Sequence, residues 1–488
     1  MALQIAVHGH FYQPPRDNPW TKEIDPQTSA APFPNWNERV HAEAYRPNAF
    51  ARIPSENGER VVNNFERLSF DVGPTLMQWM ERADAETYRE IVRADEVSRE
   101  RLGHGNALAQ AYHHTILPLG SMRDARTQVR WGLADFRHRF GRDAAGMWLP
   151  ETAADDATLG VLIDEGVAFT ILAPGQGAAW RELGGDWRAV EDESLETRVA
   201  YRYEHRDGSG RSLAVFFYDG DISHSIAFGD AGSSAERFVD LFAARVVDGG
   251  LVHAATDGET YGHHHVFTDL GLAYALFVEA EKRDVEVTNY AAFLDAHQPE
   301  REVRLRPGGT SWSCAHGLGR WKEDCGCSTG GEDGWNQAWR GPLRDALEIV
   351  QAAADDAFER VGGRLFADPW AARDDYVRAL TGEVSVDHVI GRNASAPLND
   401  AGRAAAQTLL ALQESSMSMF TSCGWFFNDV GGIETIQVLR YAARTLELLD
   451  ELGQPSPQDE FVTMLEQAKS NDPDVGTGAD AFRGLDRA

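Results

Sequence analysis

Short apolar runs alternate with amphipathic stretches over the first two thirds of the chain, a pattern typical of a parallel sheet covered by helices. The intervening stretches carry apolar residues at helical spacing and include residues 75–82, 124–140 and 270–282. The apolar runs that predict strands are residues 3–7, 146–149, 168–172, 213–218, 251–255 and 303–305. This order of elements predicts an α/β fold.

The sequence pattern changes at about residue 335, where long Ala- and Leu-rich helical segments begin. They predict a separate helical domain in the C-terminal part of the chain. The last residues are rich in Asp and Gly without periodicity, which predicts a flexible tail. The predicted boundaries are 1–300 for the α/β domain, 301–340 for a Cys- and Trp-rich connecting segment that contributes to a cleft, 341–470 for the helical domain, and 471–488 for the tail.

Polar residues gather just beyond the C-terminal ends of three predicted strands. His8 and His10 follow the first strand, Glu151 follows the strand at 146–149, and Asp257 follows the strand at 251–255. In α/β barrels the active site lies at this end of the strands. We therefore expect these side chains to share one site.

The residue types at the strand ends allow more than one chemistry. Glu151 follows Trp148 in a partly apolar segment, as expected for a carboxylate that attacks a sugar carbon. The alternative is that Glu151 is an acidic residue in the first turn of the next helix, where the helix dipole favours it. Asp257 and Glu259 precede three consecutive histidines, and carboxylates beside histidines serve either as a proton shuttle or as a metal site. Both alternatives stay open at this point.

The amino-acid composition disfavours some classes of binding partner. The chain has 76 acidic against 46 basic residues and a formal charge of −30, which disfavours binding to nucleic acid or to an anionic membrane. No apolar run approaches the roughly 20 residues that span a bilayer, and the first residues lack the features of a signal peptide. Four cysteines in 488 residues do not form a disulfide scaffold. We expect a folded, cytoplasmic protein.

Four segments in series resemble the signature regions of glycoside hydrolase family 57. A fifth region is matched more loosely by Thr310 to Ser313 together with Trp321. The four segments are HGH at 8–10, the stretch 105–119 that contains His114 and ends in LPL, WLPE at 148–151, and DGETYGH at 257–263. The resemblance extends over about residues 1–340.

The resemblance implies a distorted TIM-like (β/α)7 barrel followed by a C-terminal helical domain, and a retaining enzyme that acts on α-1,4-glucans such as maltooligosaccharides. It implies Glu151 as the nucleophile and Asp257 as the general acid/base, with no cofactor. The expected substrate contacts are His8, His10, His114, Trp148, Glu259, His263, Asp219, Asp221, Trp312, Trp321 and Trp425. For Asp219 a capping role, and for each Trp ordinary core packing, are the alternatives.

Several functional alternatives remain beside a hydrolase or glucanotransferase. The spacing between Glu151 and Asp257 leaves little room for the insert expected of a branching enzyme of this family, although it does not settle the matter. A metal-dependent polysaccharide deacetylase or mannosidase would use as ligands some of His8, His10, Asp257, His263 and His264. A silent glycan-binding barrel is the third possibility. The sequence leaves the oligomeric state open.

Three of the four cysteines lie close together in the chain with a histidine. Cys314, His316, Cys325 and Cys327 span 14 residues, and thiolates with an imidazole at such spacing can hold Zn²⁺. Cys-x-Cys is tighter than the usual Cys-x2-Cys spacing of zinc knuckles. The sequence favours reduced loop cysteines without a metal, with a structural zinc site and a disulfide as the alternatives.

Overall fold

A computed structural model describes residues 3–56, 58–191, 194–245 and 249–486. The chain forms two compact units. The first unit comprises Met1–Gln13, Pro26–Gln110 and Arg139–Gly308, and the second comprises Pro14–Asp25, Ala111–His138 and Gly309–Ala488. Two early segments of the chain therefore group with the C-terminal residues, a grouping that the sequence does not predict.

The first unit is built on seven parallel strands that neighbour one another in chain order. The strands are β1 (Leu3–Phe11), β2 (Ser69–Val72), β3 (Ala109–Gln110), β4 (Met147–Trp148), β5 (Phe169–Leu172), β6 (Ser212–Phe217) and β7 (Leu251–Asp257). Parallel ladders join β1 to β2, β3 to β4, β5 to β6 and β7 to β1. Single parallel bridges join β2 to the residues before β3, and the residue before β4 to β5.

One further contact closes the circle of strands. The backbone N–H of Asp219, just past β6, donates to the carbonyl of His253 in β7 at 2.8 Å. Seven parallel strands form the (β/α)7 barrel that the sequence resemblance implies. Helices connect consecutive strands except β5 and β6, which are joined through short strands. The fold class is confirmed.

The first unit contains additional strands outside the barrel wall. Ala51–Ser55 and Gly58–Val62 form an antiparallel hairpin, and Val285–Val287 runs parallel to β1. The predicted strand at 303–305 is present as Arg301–Leu305, but it belongs to a mixed extension of the sheet and not to the barrel wall. The extension continues from β6 through Ala200–Glu204, Arg301–Leu305, Gly177–Glu182 and Arg188–Ala189.

Helices lie between the strands of the first unit. Their boundaries follow local capping signals, as where Asp84 accepts bonds from the backbone of Glu86 and Thr87. The helices are Trp36–Val40, Arg46–Ala49, Pro74–Ala83, Ala85–Leu102, Asp156–Asp164, Gly220–Ala227, Ala235–Ala243, Thr268–Tyr274, Ala280–Lys282 and Tyr290–Ala296.

The second unit is helical, as the Ala- and Leu-rich segments predict. Its core contains the buried rings of Tyr112, Trp131 and Phe358 together with leucines of the long helices. The helices are Met122–Phe140, which continues into the first unit, Arg340–Leu365, Pro369–Asp375, Val377–Leu380, Val386–Asn393, Asp400–Ser418, Cys423–Phe426, Ile433–Glu451, Gln458–Leu465 and Gly478–Arg483. Among the described residues, no helix has the length and apolarity that a membrane span requires.

The expectation of a flexible tail over 471–488 is wrong for Gly478–Arg483. Thr477 and Asp480 form a capping box at the start of this helix, and the ring of Phe482 packs edge-on against Phe461 at 5.0 Å between centroids. The Asp- and Gly-rich composition of this segment predicts a flexible tail although the segment contains a capping box and a packed aromatic residue. Residues 487–488 lie outside the described residues.

Candidate active site

The central strand of the site is β1, which presents two histidines at its C-terminal end. His8 and His10 are two residues apart, so their side chains lie on the same face of the strand. In the sheet register His10 lies beside Asp71 of β2 on one side and beside Asp257 of β7 on the other. The sheet therefore brings two acids from distant parts of the chain next to one histidine.

Asp71 binds both histidines with one buried carboxylate. Its Oδ1 lies 3.0 Å from Nε2 of His8, and its Oδ2 lies 2.8 Å from Nδ1 of His10. The other ring nitrogen of His8 lies 3.2 Å from the hydroxyl of Ser69. Since Asp71 is 0% exposed, its two oxygens are held in one geometry. This carboxylate fixes the position of both imidazole rings.

The ionisation of this group follows from its charges. Burial opposes a charge on His10, but Asp71, with smaller contributions from Asp257 and Glu259, outweighs burial and raises the pKa of His10 to about 9. Burial lowers the pKa of His8 despite its bond to Asp71. Burial also opposes ionisation of Asp71, yet His10 and His8 lower its pKa overall. At neutral pH the arrangement is an Asp71 carboxylate with a charged His10 and a neutral His8.

Trp148 completes the packing of the histidine pair. Its ring stacks on His8 with centroids 4.6 Å apart and on His10 with centroids 5.3 Å apart. Tyr12 stacks on His10 at 5.8 Å. Trp148 is 0% exposed, so it supports the histidines and does not present a face to a sugar. The expected sugar contact of Trp148 is wrong, and the alternative of core packing holds.

Glu151 lies on a tight turn directly after β4. Glu151 and Thr152 both have left-handed backbone angles, with φ of 57° and 50°, which side chains other than glycine rarely adopt. Such residues cost about 1–3 kcal/mol each and need support from their surroundings. Here Gln176 supplies it, because Thr152 Oγ1 donates to its amide oxygen at 2.9 Å and its amide nitrogen donates to the Thr152 carbonyl at 2.8 Å.

The position of the next helix excludes one of the two interpretations of Glu151. The following helix begins at Asp156, and its N-cap is Asp155, whose side chain accepts from the backbone of Thr158. Glu151 therefore does not lie in the first turn of that helix. Its half-buried side chain stands on a strained connection at the C-terminal edge of the barrel.

Two more carboxyl groups follow β7. Asp257 reaches solvent, but protein atoms crowd its other sides; this desolvation raises its pKa, with Asp71 adding to the rise and His10 opposing it. Glu259 is buried and accepts from the Tyr45 hydroxyl at 2.5 Å and the Tyr12 N–H at 2.9 Å. Burial raises the pKa of Glu259 to about 7 against the lowering effect of Tyr45. Both groups hold a proton more strongly than ordinary carboxyls.

This geometry can be compared with known families. The sequence profile described as "Glycosyl hydrolase family 57" matches residues 5–306, well over half of the chain. The chain belongs to glycosyl hydrolase family 57. A second profile, described as "Domain of unknown function (DUF3536)", matches residues 335–486. No curated protein matches the chain in sequence.

Solved structures of the family share the fold. An exo-type maltose-forming amylase from Pyrococcus sp. ST04 aligns with a TM-score of 0.72 and 16% identity, covering 95% of this chain and 83% of that one. A family 57 branching enzyme from Thermococcus kodakaraensis aligns at 0.57 and 14% identity, covering 98% and 96%. A 4-alpha-glucanotransferase from Thermococcus litoralis aligns at 0.54 and 15% identity, covering 92% and 60%.

Asp219 and Asp221 have local roles in this member of family 57. Asp219 is the N-cap of Gly220–Ala227 and accepts from the backbone N–H groups of Asp221 and Ile222. Arg245 lies 3.3 Å from Asp219 and 2.9 Å from Asp221, whose side chain is 86% exposed. Asp219 has the capping role, and Asp221 is a surface ion-pair partner. A substrate contact at either residue stays a prediction.

His263 is bound to another part of the first unit. Its Nδ1 pairs with the Glu43 carboxylate, and its ring meets Trp36 edge-on at 6.1 Å. Although burial opposes it, the bonds from His263 and Arg39 lower the pKa of Glu43. His263 therefore fixes Glu43, and the chain around it is a turn that precedes the helix Thr268–Tyr274.

Two of the predicted tryptophans are core residues of the second unit. Trp321 and Trp425 are both 0% exposed. Trp321 Nε1 donates to the Ser422 carbonyl at 3.1 Å, and Trp425 Nε1 donates to the Arg340 carbonyl at 3.1 Å. Their expected sugar contacts are wrong, because their rings and their N–H groups are already used in packing.

The other two predicted residues of the second unit differ in their surroundings. His114 is buried, has a left-handed φ of 55°, and its Nδ1 lies 2.6 Å from the Ser422 hydroxyl. Trp312 is half-buried, so part of its ring stays accessible. A substrate role for these two residues stays a prediction.

The sequence does not reveal three residues of the first unit that shape the site. Asp71 is the anion of the histidine pair, Gln176 supports the Glu151 turn, and Gln110 ends β3. Gln110 is 2% exposed, and neither atom of its amide has a hydrogen-bond partner among the described residues. A usable signal for Asp71 is its place within the apolar run Ser69–Val72, since a buried carboxylate needs a partner.

Proposed function

We propose that the chain is a retaining glycoside hydrolase or transglycosylase that acts on α-1,4-glucans. One observation carries the proposal: His8, His10, Glu151 and Asp257 follow or end barrel strands at one edge, in a chain that belongs to family 57. That edge is where α/β barrels hold their active sites. The names of the aligned structures, an amylase, a branching enzyme and a glucanotransferase, support an α-glucan substrate.

In the proposed reaction Glu151 attacks the anomeric carbon while Asp257 gives its proton to the departing glycosidic oxygen. A covalent glycosyl ester on Glu151 results. Asp257, now ionised, takes a proton from water or from a sugar hydroxyl, which attacks the ester and releases Glu151. The raised pKa of Asp257 supports its role as the acid, since it must keep its proton until the leaving oxygen takes it.

The histidine pair and Glu259 prepare the site. Asp71 keeps His10 positively charged beside Asp257. The positive charge of His10 limits how far the pKa of Asp257 rises. Glu259 anchors the backbone of Tyr12, whose ring stacks on His10. These residues position the reacting groups, and their rigid bonds limit reorganisation during the reaction.

The large negative charge of the chain is compatible with this substrate. A glucan carries no charge, so a formal charge of −30 does not repel it. Hydrolysis, transfer and branching share the glycosyl-enzyme intermediate and differ in the acceptor that reaches it. The catalytic pair therefore does not distinguish hydrolysis, transfer and branching, and the acceptor must be identified by experiment.

Incubation with purified maltooligosaccharides, followed by chromatography of the products, tests the proposal. Shorter products alone indicate hydrolysis, longer products indicate transfer, and new α-1,6 linkages indicate branching. Glu151→Gln and Asp257→Asn should each abolish product formation while leaving the circular dichroism spectrum unchanged. Glu281→Gln is a matched control at an exposed carboxylate outside the predicted site and should retain activity. Full activity in either catalytic variant would refute the assignment.

A further inference from the structure

The second unit contains a Cys–His cluster that the proposed reaction does not use. Its members are Cys314, His316, Cys325 and Cys327, all carried by one loop. One donor atom from each of the four lies within 4.8 Å of every other. The Sγ atoms of Cys314 and Cys325 are 3.9 Å apart, and Sγ of Cys327 is 3.5 Å from Nδ1 of His316. Four soft donors therefore face a common centre.

The separations of Cys314 from Cys325 and of Cys327 from His316 are close to those of a zinc site. A tetrahedral Zn²⁺ with bonds of about 2.3 Å to sulfur and about 2.0–2.1 Å to nitrogen places its donors about 3.5–3.8 Å apart. Three thiolates with one imidazole form a donor set that suits Zn²⁺ and closes its coordination shell. We propose that Cys314, His316, Cys325 and Cys327 bind one structural Zn²⁺ ion.

Glycines shape the loop around this centre. Gly326, between two of the ligands, and Gly317, just after His316, have φ values of 77° and 74°, in the left-handed region. A Cβ atom at Gly319 would lie 2.8 Å from Cβ of Cys325, so only glycine fits there. The backbone is thus folded closely enough to bring two pairs of ligands together.

Two buried arginines give an independent argument from charge. Arg320 is 5% exposed and Arg340 is 0% exposed, yet neither forms an ion pair with an Asp or Glu among the described residues. Their side chains donate to backbone carbonyls of the loop instead, including Arg340 Nη1 to Cys327 at 2.8 Å and Arg320 Nε to Ser313 at 3.1 Å. Burying unpaired cations is costly.

A zinc ion with three thiolates and a neutral histidine carries a net charge of about −1, which offsets one of the two positive charges buried beside it. A disulfide between Cys314 and Cys325 would remove two of the thiolates and leave His316 without a role. Reduced, protonated thiols would leave the arginines uncompensated in the same way. The charge argument therefore favours the metal over both alternatives.

The proposed ion fixes a specific part of the second unit. Arg320 and Arg340 also donate to the carbonyl of Phe426, at 2.9 Å and 3.4 Å, and Arg340 donates to that of Phe427 at 3.2 Å. Thr329, just beyond the cluster, donates its N–H to Asn428 at 3.0 Å. Zinc binding would thereby hold the loop against the turn that follows Cys423–Phe426.

Metal analysis of the purified chain tests the proposal. The protein is prepared under reducing conditions without chelator, and its metal content is measured by inductively coupled plasma mass spectrometry. The wild-type chain and Cys423→Ser, which alters the one cysteine outside the cluster, should each contain close to one zinc per chain. Cys325→Ser and Cys327→Ser should contain much less and should melt at lower temperature.

Cobalt substitution keeps the test valid if a cysteine variant does not fold. Wild-type chain stripped of metal and loaded with Co²⁺ should show the visible bands of a tetrahedral site and the near-ultraviolet charge-transfer bands of thiolate ligands. A wild-type chain with no more zinc than the buffer and no such cobalt spectrum would overturn the proposal. So would a Cys314–Cys325 disulfide found by peptide mapping of the protein as isolated.

Discussion

Replacing Asp71 by Asn removes the anion that binds His8 and His10 while keeping the shape of the side chain. The variant should lose stability, and the loss should depend on pH. Asp71 is fully buried and bonds to His10 at 2.8 Å, so an Asn in its place leaves the buried cation of His10 without its counter-charge. Removal of one partner from a buried ion pair costs about 3–5 kcal/mol.

The size of the pH effect follows from the pKa of His10. Its value of about 9 lies above the ordinary 6.5, which corresponds to about 3 kcal/mol of stabilisation of the native state when His10 is charged. Because the pKa is raised on folding, this contribution is complete below pH 6.5 and is lost as the pH rises through 9. Asp71 has a lowered pKa and stays ionised throughout this range.

The assay is urea unfolding followed by tryptophan fluorescence at pH 6 and pH 10. Asp71→Asn should lower the free energy of unfolding by about 3 kcal/mol at pH 6. At pH 10 His10 is neutral, so the ion pair is gone and the Asp71 carboxylate is buried without a counter-charge. Its replacement should then lower the free energy of unfolding by only about 1 kcal/mol or less. His10→Gln and the double variant complete a mutant cycle, in which the effect of Asp71→Asn should no longer change with pH.

Two results would refute this reasoning. An equal loss of stability at both pH values would mean that the charge of His10 does not depend on Asp71. A pH-dependent loss that persists in the His10→Gln background would mean that another group carries the titration.

Three further predictions concern neighbouring residues. Glu259→Gln should stabilise the chain by about 3 kcal/mol at pH 8 and have little effect at pH 4. The reason is that a carboxyl whose pKa is raised to about 7 destabilises the native state once it ionises. The same urea assay measures this effect, and an equal result at the two pH values would contradict it. Gln110→Leu should raise stability by about 1 kcal/mol, because it removes a buried amide without partners among the described residues; a lower melting temperature would show that the amide is satisfied. Gln176→Ala should release the turn at Glu151 and lower kcat by about 10–100-fold with a smaller change in KM, as expected for a displaced reacting group; unchanged steady-state kinetics would show that the turn holds without it.

The parts of the site that lie in short local motifs are predictable from the sequence. An apolar run followed by a polar cluster marks His8, Glu151 and Asp257, because strand length and side-chain chemistry are both local properties. The order of strands and helices likewise predicts an α/β fold with a parallel sheet, whereas the barrel itself is what the resemblance to family 57 implies.

The partners of these residues depend on contacts between distant parts of the chain, and local patterns do not contain them. Asp71 meets His10 only once β1 and β2 pair, and Gln176 meets Thr152 only once the loops after β4 and β5 fold. The burial of Trp321 and Trp425 is a similar case, because an aromatic residue in a motif has the same pattern whether it packs in a core or binds a sugar.

Trapping of the glycosyl-enzyme is the most direct test that Glu151 is the nucleophile. The chain is incubated with 5-fluoro-α-maltosyl fluoride, which forms a slowly hydrolysed intermediate, and is then analysed by intact-mass and peptide mass spectrometry. We expect one added 5-fluoromaltosyl group on the peptide that contains Glu151, and no label in Glu151→Gln. A label on another residue, or turnover of maltooligosaccharides with inversion at the anomeric carbon, would contradict it.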